Sequence, residues 1–188
     1  MPEENNPFQL YADPFTRNDL AELVHFDCGS EDSWARTATE WIVGNDVWES
    51  IEKRKTKVWL YRNESGVIVG YGSLGLTRRK WPPPDGGYVN LLIVPMLGMD
   101  YRFHGQPPDP NFRYSNQIIS HLRFEAIQVY QSLANAGGST LPLPTLFVHR
   151  DNVRAIRLYE RFGFAIERAG TRNDHLLMIQ RIDSENET

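Results

Sequence analysis

The near-continuous apolar run Tyr88–Val94, interrupted only by Asn90, constrains this chain more than any other feature. A strand with no polar alternation is expected at the centre of a sheet, covered on both faces. Leu143–Val148 reads as a second buried strand. Between them, Ser115 is expected to cap a helix that carries Ile118, Ile119, Leu122, Ala126, Ile127, Tyr130 and Leu133 on one side and ends at Gly137-Gly138. A second helix starts at Asp151 or Asn152, runs through Ile156, Leu158, Tyr159 and Phe162, and closes at Gly163. Ala165–Ala169 and His175–Arg181 are expected as final strands.

Upstream, Lys57–Arg62 and Val67–Leu74 flank Asn63-Glu64-Ser65-Gly66, a hairpin signal. Phe8–Tyr11 reads as a short strand stopped by Asp13-Pro14, and Thr16 as the cap of a helix through Leu20, Leu23 and Val24. Ser30 or Asp32 caps a further helix with Trp34, Ala38, Trp41 and Ile42 at helical spacing. The prolines of Trp81–Gly87 make that stretch a loop, and Pro95–Tyr114 reads as irregular and proline-rich. Hairpin, strand, helix, strand, helix, strand is an α/β (α+β) order, and residues 1–188 suffice for one domain.

Composition narrows the function classes. A single cysteine, Cys28, allows no intramolecular disulfide and no cysteine cluster, and fits a reducing cytoplasm. No apolar run reaches the roughly 18 residues of a membrane span, and residues 1–10 lack a leader pattern. The formal net charge of -4 disfavours a nucleic-acid partner. Two basic clusters, Lys53-Arg54-Lys55 with Lys57 and Arg78-Arg79-Lys80, read first as solvated helix ends or turns. The five histidines show no ligand spacing, so no metal is expected.

Residues 147–164, Phe-Val-His-Arg-Asp-Asn-Val-Arg-Ala-Ile-Arg-Leu-Tyr-Glu-Arg-Phe-Gly-Phe, resemble the last motif of the GNAT acetyltransferases, matching at Asn152, Ala155, Leu158, Tyr159, Gly163 and Phe164. Asn152 can cap the helix and still offer an amide to a ligand, and Ala155 leaves room for a bulky one. The resemblance implies a mixed, mostly antiparallel central sheet, flanked by helices and splayed at its middle strands. It also implies acetyl-coenzyme A as cosubstrate, and a Tyr159 that protonates the departing thiolate. Leu91-Leu92-Ile93-Val94 with Tyr101-Arg102-Phe103-His104-Gly105-Gln106 resembles the family's central strand and pyrophosphate loop. The strand is expected to splay after Ile93 and Val94, with backbone groups of Leu92, Ile93 and Val94 bonding the pantetheine arm and the acetyl oxygen.

The loop departs from the family pattern. Pro107 replaces its second small residue, and Pro107–Tyr114 is an extra stretch. Two registers stay open: Arg102 and Gly105 form the phosphate cradle, or Arg113, Tyr114, Ser115, Asn116 and Gln117 supply it at a helix N-terminus. The second is preferred for phosphate contact.

No acid stands in Tyr88–Val94, and His104 and His149 are the nearest titratable residues in sequence, so no general base is assigned. The expected acceptor is a small-molecule or peptide amine; a homodimer is left open. His25-Phe26-Asp27-Cys28-Gly29, with Trp34 and Ala38, is similar to a toxin-type GNAT subgroup that acetylates aminoacyl-tRNA. That reading is disfavoured by the acidic balance but kept as an alternative. A degenerate fold that binds coenzyme A or serves as an interaction module is the other.

Overall fold

The computed structural model describes residues 8–29, 31–53, 56–81, 86–135, 140–172 and 174–180. Its strands are β1 (Tyr11–Pro14), β2 (Thr56–Arg62), β3 (Ile68–Trp81), β4 (Gly87–Val94), β5 (Leu97–Met99), β6 (Thr140–His149), β7 (Phe164–Arg172) and β8 (His175–Gln180). The helices are α1 (Ser33–Val43), α2 (Asp46–Glu52), α3 (Tyr114–Asn135) and α4 (Val153–Arg161), with 3-10 turns at Arg17–His25, Tyr101–Phe103 and Pro110–Phe112. The eight-stranded sheet has the order β1-β2-β3-β4-β6-β8-β7, and β5 pairs with β3. Only β4–β6 is parallel among the described ladders; β1–β2, β3–β4, β3–β5, β6–β8 and β7–β8 are antiparallel. The sheet is therefore mostly antiparallel, as the resemblance implies.

The described residues group into two compact units that share β3 and α3, one up to Ser73 with Met96–Leu122, the other Leu74–Pro95 with the residues from Arg123 on. In the first, Ala38 and Ile42 of α1, Val47 of α2, Val58 and Leu60 of β2 and Ile68 and Tyr71 of β3 form one core. Their apolar faces follow the helical and two-residue periods that the sequence shows. The Tyr71 hydroxyl, buried with its ring, donates to Ala38 O at 2.7 Å. On the other face of β2, Tyr61 Oη lies 3.0 Å from His121 Nδ1 of α3, whose ring meets Trp59 edge-on at 5.4 Å. At the chain's start, the Thr16 N–H and hydroxyl both donate to Asp19 Oδ2, at 2.7 and 2.8 Å.

In the second unit, β4 pairs with β6 from Asn90↔Thr140 to Val94↔Leu146, with a register shift between Leu91 and Leu92. There the ladder ends. Strand β6 runs on through Phe147, Val148 and His149 beside Leu177, Leu176 and His175 of β8. Thr145, buried, donates its hydroxyl to Leu92 O at 3.0 Å and so ties the two middle strands near the end of their ladder.

Several boundaries differ from the sequence reading. The first strand begins at Tyr11 and includes Asp13 and Pro14, because β1 ends the sheet order and an edge residue needs no N–H for the ladder. Strand β3 does not stop at Leu74 but reaches Trp81, so Arg78, Arg79 and Lys80 stand on a strand and not at a helix end or turn. Pro95–Tyr114 is not wholly irregular: Leu97–Met99 pairs with β3, and Gly98 makes that approach feasible. A Cβ there would sit 2.4 Å from Tyr71 Cε1 and 2.7 Å from Cys28 Sγ. Helix α3 starts at Tyr114, one residue before the expected cap. Helix α2 had no counterpart in the sequence reading. The readings on Ser30, Arg54, Lys55, Pro82–Pro84, Gly137-Gly138 and Arg181 lie outside the described residues. No described helix is long and apolar enough to cross a membrane.

Candidate active site

Strand β6 delivers the chain to α4 through a cap that the sequence specifies. Asn152 Oδ1 accepts from Ala155 N–H at 3.1 Å, which satisfies one of the first-turn donors. Its carboxamide nitrogen has no role in that bond. Ala155 is half-buried in the same turn. The helix closes where Gly163 takes φ +78°, and Gln180 of β8 donates its side-chain amide to Phe162 O. Two turns along, Tyr159 is 8% exposed, its ring 5.8 Å from that of Phe164. Burial pushes its phenol up to about 12, so it stays neutral and proton-bearing across the physiological range.

Of the β4 residues, Leu92 and Ile93 are held in ladders on both sides: opposite Leu76 and Gly75 of β3, and opposite Pro144 and Thr145 of β6. The Leu92 carbonyl also accepts from Thr145. Val94 stands on the last rung with β6, and Pro95 follows it. The next backbone contacts belong to Met96, whose N–H and C=O bond Ser73, the N–H to Oγ at 2.9 Å.

The two registers at the start of α3 differ in what their groups already do. Arg102 donates from Nε and Nη2 to both carboxylate oxygens of Asp100, at 2.8 and 2.7 Å, and its N–H donates to Oδ1. Asp100 is fully buried, so this guanidinium neutralises a charge that would otherwise be stranded. Gly105 has φ +77° and is exposed. Gln117 is fully engaged: Oε1 accepts from Leu10 N–H, and Nε2 donates to Phe8 O and Phe112 O. Tyr114 N–H donates to Gln106 O, and Asn116 and Gln117 N–H both donate to Arg113 O. Three of the first four helical donors are thus occupied, while Ser115, half-buried, follows Tyr114 in the first turn. In contrast, Arg113 Nε and Asn116 Oδ1 are buried without a partner, although Asn116 Nδ2 donates to Pro110 O.

The histidines are occupied too. His104 donates from Nε2 to Met99 O at 3.1 Å, because a carbonyl can only accept. His149 Nδ1 accepts from Asp151 N–H at 3.3 Å, and its ring meets His175 edge-on at 5.4 Å. Among the described residues no group of three acids, histidines or cysteines could hold a metal. Sequence reasoning missed Asp100, although its two-residue spacing to Arg102 was visible. It also missed the long-range partners of Gln117, which no local pattern encodes.

No protein-family model matches the sequence, and no curated protein matches it. Solved structures do. The PaiA N-acetyltransferase of Thermoplasma acidophilum in complex with coenzyme A is similar at TM-score 0.56 and 14% identity, over 92% of this chain and 99% of that one. AtaT complexed with acetyl-methionyl-tRNAfMet is similar at 0.58 and 18%, over 90% and 94%. A variant of the toxin AtaT bound to the C-terminus of the antitoxin AtaR is similar at 0.58 and 16%, over 91% and 92%. At such identities the likeness carries the architecture and nothing finer. The chain has the fold of the GNAT N-acetyltransferases.

Proposed function

We propose that this protein transfers the acetyl group of acetyl-coenzyme A to a primary amine by direct attack. The carrying observation is local: a buried strand, a capping Asn152 and a buried Tyr159 stand in one strand–helix unit beside the place where the β4–β6 ladder ends. The fold neighbour with coenzyme A bound supports the ligand class.

The residues fit such a ligand unevenly. The Asn152 amide, the small Ala155 and the backbone of Val94 suit the pantetheine arm, whereas the ladders engage Leu92 and Ile93. For the phosphates, the register built on Arg113, Ser115 and Asn116 is favoured. Arg113 Nε is a buried donor without an acceptor, a state that costs about 1–3 kcal/mol and that a phosphate oxygen would relieve. Asp100 holds Nε and Nη2 of Arg102 and balances its charge, and three backbone groups hold the Gln117 amide, so both suit phosphate less well.

In the reaction the amine nitrogen attacks the thioester carbonyl, a C–N bond forms, and the C–S bond breaks. The nitrogen loses its proton to solvent, and the thiolate gains one from Tyr159. A phenol at about 12 is a weak acid, and a thiolate that departs into the same water-poor surroundings has its own proton affinity raised by desolvation. Such a thiolate would take the Tyr159 proton at little cost. Thiol release measured with acetyl-coenzyme A against a panel of amines tests this reading. Release that no amine accelerates would leave the degenerate alternative.

A second reading, acetylation of aminoacyl-tRNA, is favoured by the likeness to AtaT with acetyl-methionyl-tRNAfMet and opposed by the net charge of -4. Growth arrest on expression, relieved by Tyr159→Phe, would support it; normal growth would remove it.

A further inference from the structure

The cations Arg78, Arg79 and Lys80 stand consecutively in β3 of an otherwise acidic chain, all exposed. Sheets commonly place opposite charges across from one another. Here the cross-strand partners are Asn90, Val89 and Tyr88, none of them acidic. Among the described residues none of the three cations makes an ion pair with a carboxylate.

Strand alternation separates them. Arg78 and Lys80 share a face with Tyr88, and the Arg78 guanidinium lies 5.3 Å from that ring's centroid. Arg79 projects to the opposite face, and its guanidinium lies 5.4 Å from the ring centroid of Phe147 in β6. Phe147 directly follows Leu146, the partner of Val94 on the last β4–β6 rung. A cation therefore stands on the β6 residue that follows the Val94 rung, whose backbone the transfer reading assigns to the pantetheine arm. An aromatic face under the guanidinium holds its plane while leaving N–H edges for a bidentate acceptor.

We propose that Arg79, seated on Phe147, binds the anionic group of the acceptor, which is a primary amine carrying a carboxylate or a phosphate a few bonds from its nitrogen. The proposal rests on the acetyl-transfer reading. It also bears on the missing base: a cation near the amine disfavours the ammonium form, so the nucleophile can be neutral although β4 holds no acid.

The test compares ethanolamine, β-alanine and phosphoethanolamine as acceptors, with acetyl-coenzyme A and the full chain, reading thiol release. The anionic pair should exceed ethanolamine by at least about tenfold in kcat/KM, with the better of the two identifying carboxylate or phosphate. Arg79→Gln should bring all three within about threefold of one another, whereas Arg78→Gln, on the other face, should retain the preference. Equal use of ethanolamine, a preference that survives Arg79→Gln, or its equal loss in Arg78→Gln would overturn the proposal. If acetyl-coenzyme A fails to bind, the transfer reading falls by itself. The subsite is then judged by titrating β-alanine and phosphoethanolamine while following arginine Nε–Hε resonances. A perturbed resonance absent from Arg79→Gln upholds it, and no perturbation refutes it.

Discussion

Helix α4 and the start of α3 make opposite use of the same physics. Both are helix N-termini, where unpaired N–H groups could receive a ligand. At α4, one side chain from the adjacent loop, Asn152, caps the turn and keeps its amide nitrogen out of that bond. At α3, the loop folds back on itself: Gln106 O, Arg113 O, Pro110 O and Phe8 O take up the donors. What remains there is an orphaned guanidinium nitrogen on Arg113 and an orphaned oxygen on Asn116. The difference teaches that a helix start becomes a ligand site only through groups that its own loop leaves unmatched.

Breaking the chemistry at α4 should have the largest effect. Tyr159→Phe removes the proton donor alone and is expected to lower kcat by about a hundredfold or more, with the acetyl-coenzyme A dissociation constant unchanged in calorimetry. Undiminished turnover would make Tyr159 an ordinary packing residue.

The two arginines of the α3 entrance sharpen the contrast. Arg113→Ala should weaken acetyl-coenzyme A binding by about tenfold with little loss of stability, since its Nε makes no internal bond. Arg102→Ala should do the reverse. It strips the buried Asp100 of its bidentate partner and should cost about 1–3 kcal/mol in urea unfolding, less than for a fully buried pair because Arg102 is half-exposed. The opposite pattern would return the cradle to Arg102 and Gly105.

A finer test uses Asn152→Asp. Asp caps a helix about as well as Asn, within a few tenths of a kcal/mol, but has no amide donor. Stability should hold while cofactor affinity falls; a loss of stability alone would leave Asn152 a cap and nothing more.

The smallest effect concerns pH. The native state keeps the Tyr159 proton up to about 12, whereas an unfolded tyrosine releases it near 10. Stability should therefore fall as pH rises from about 10 toward 12, because the unfolded chain binds fewer protons there. Tyr159→Phe should lose less stability than the wild type between about pH 10 and pH 12.

The sequence was most informative where structure is local. The strand–Asn–helix–Gly run of 147–164 could be read residue by residue, since Asn152 and Gly163 act on their own turns. The central run of β4 was legible from its lack of alternation. Where partners are remote, legibility failed. Nothing in Gln117 says that its amide holds Phe8 and Leu10, more than a hundred positions away. Charge misled in Arg78–Lys80, which continue a strand because β4 supplies a ladder as far as Trp81↔Gly87. Strand β5 was too short for any period to show.

Calorimetric titration of the wild-type chain with acetyl-coenzyme A, repeated on Arg113→Ala, goes most directly to the question. We expect one saturable site in the micromolar range that weakens about tenfold in the variant. A flat wild-type titration would mean that this GNAT fold does not take up the cosubstrate, and the proposed transfer would have to be abandoned.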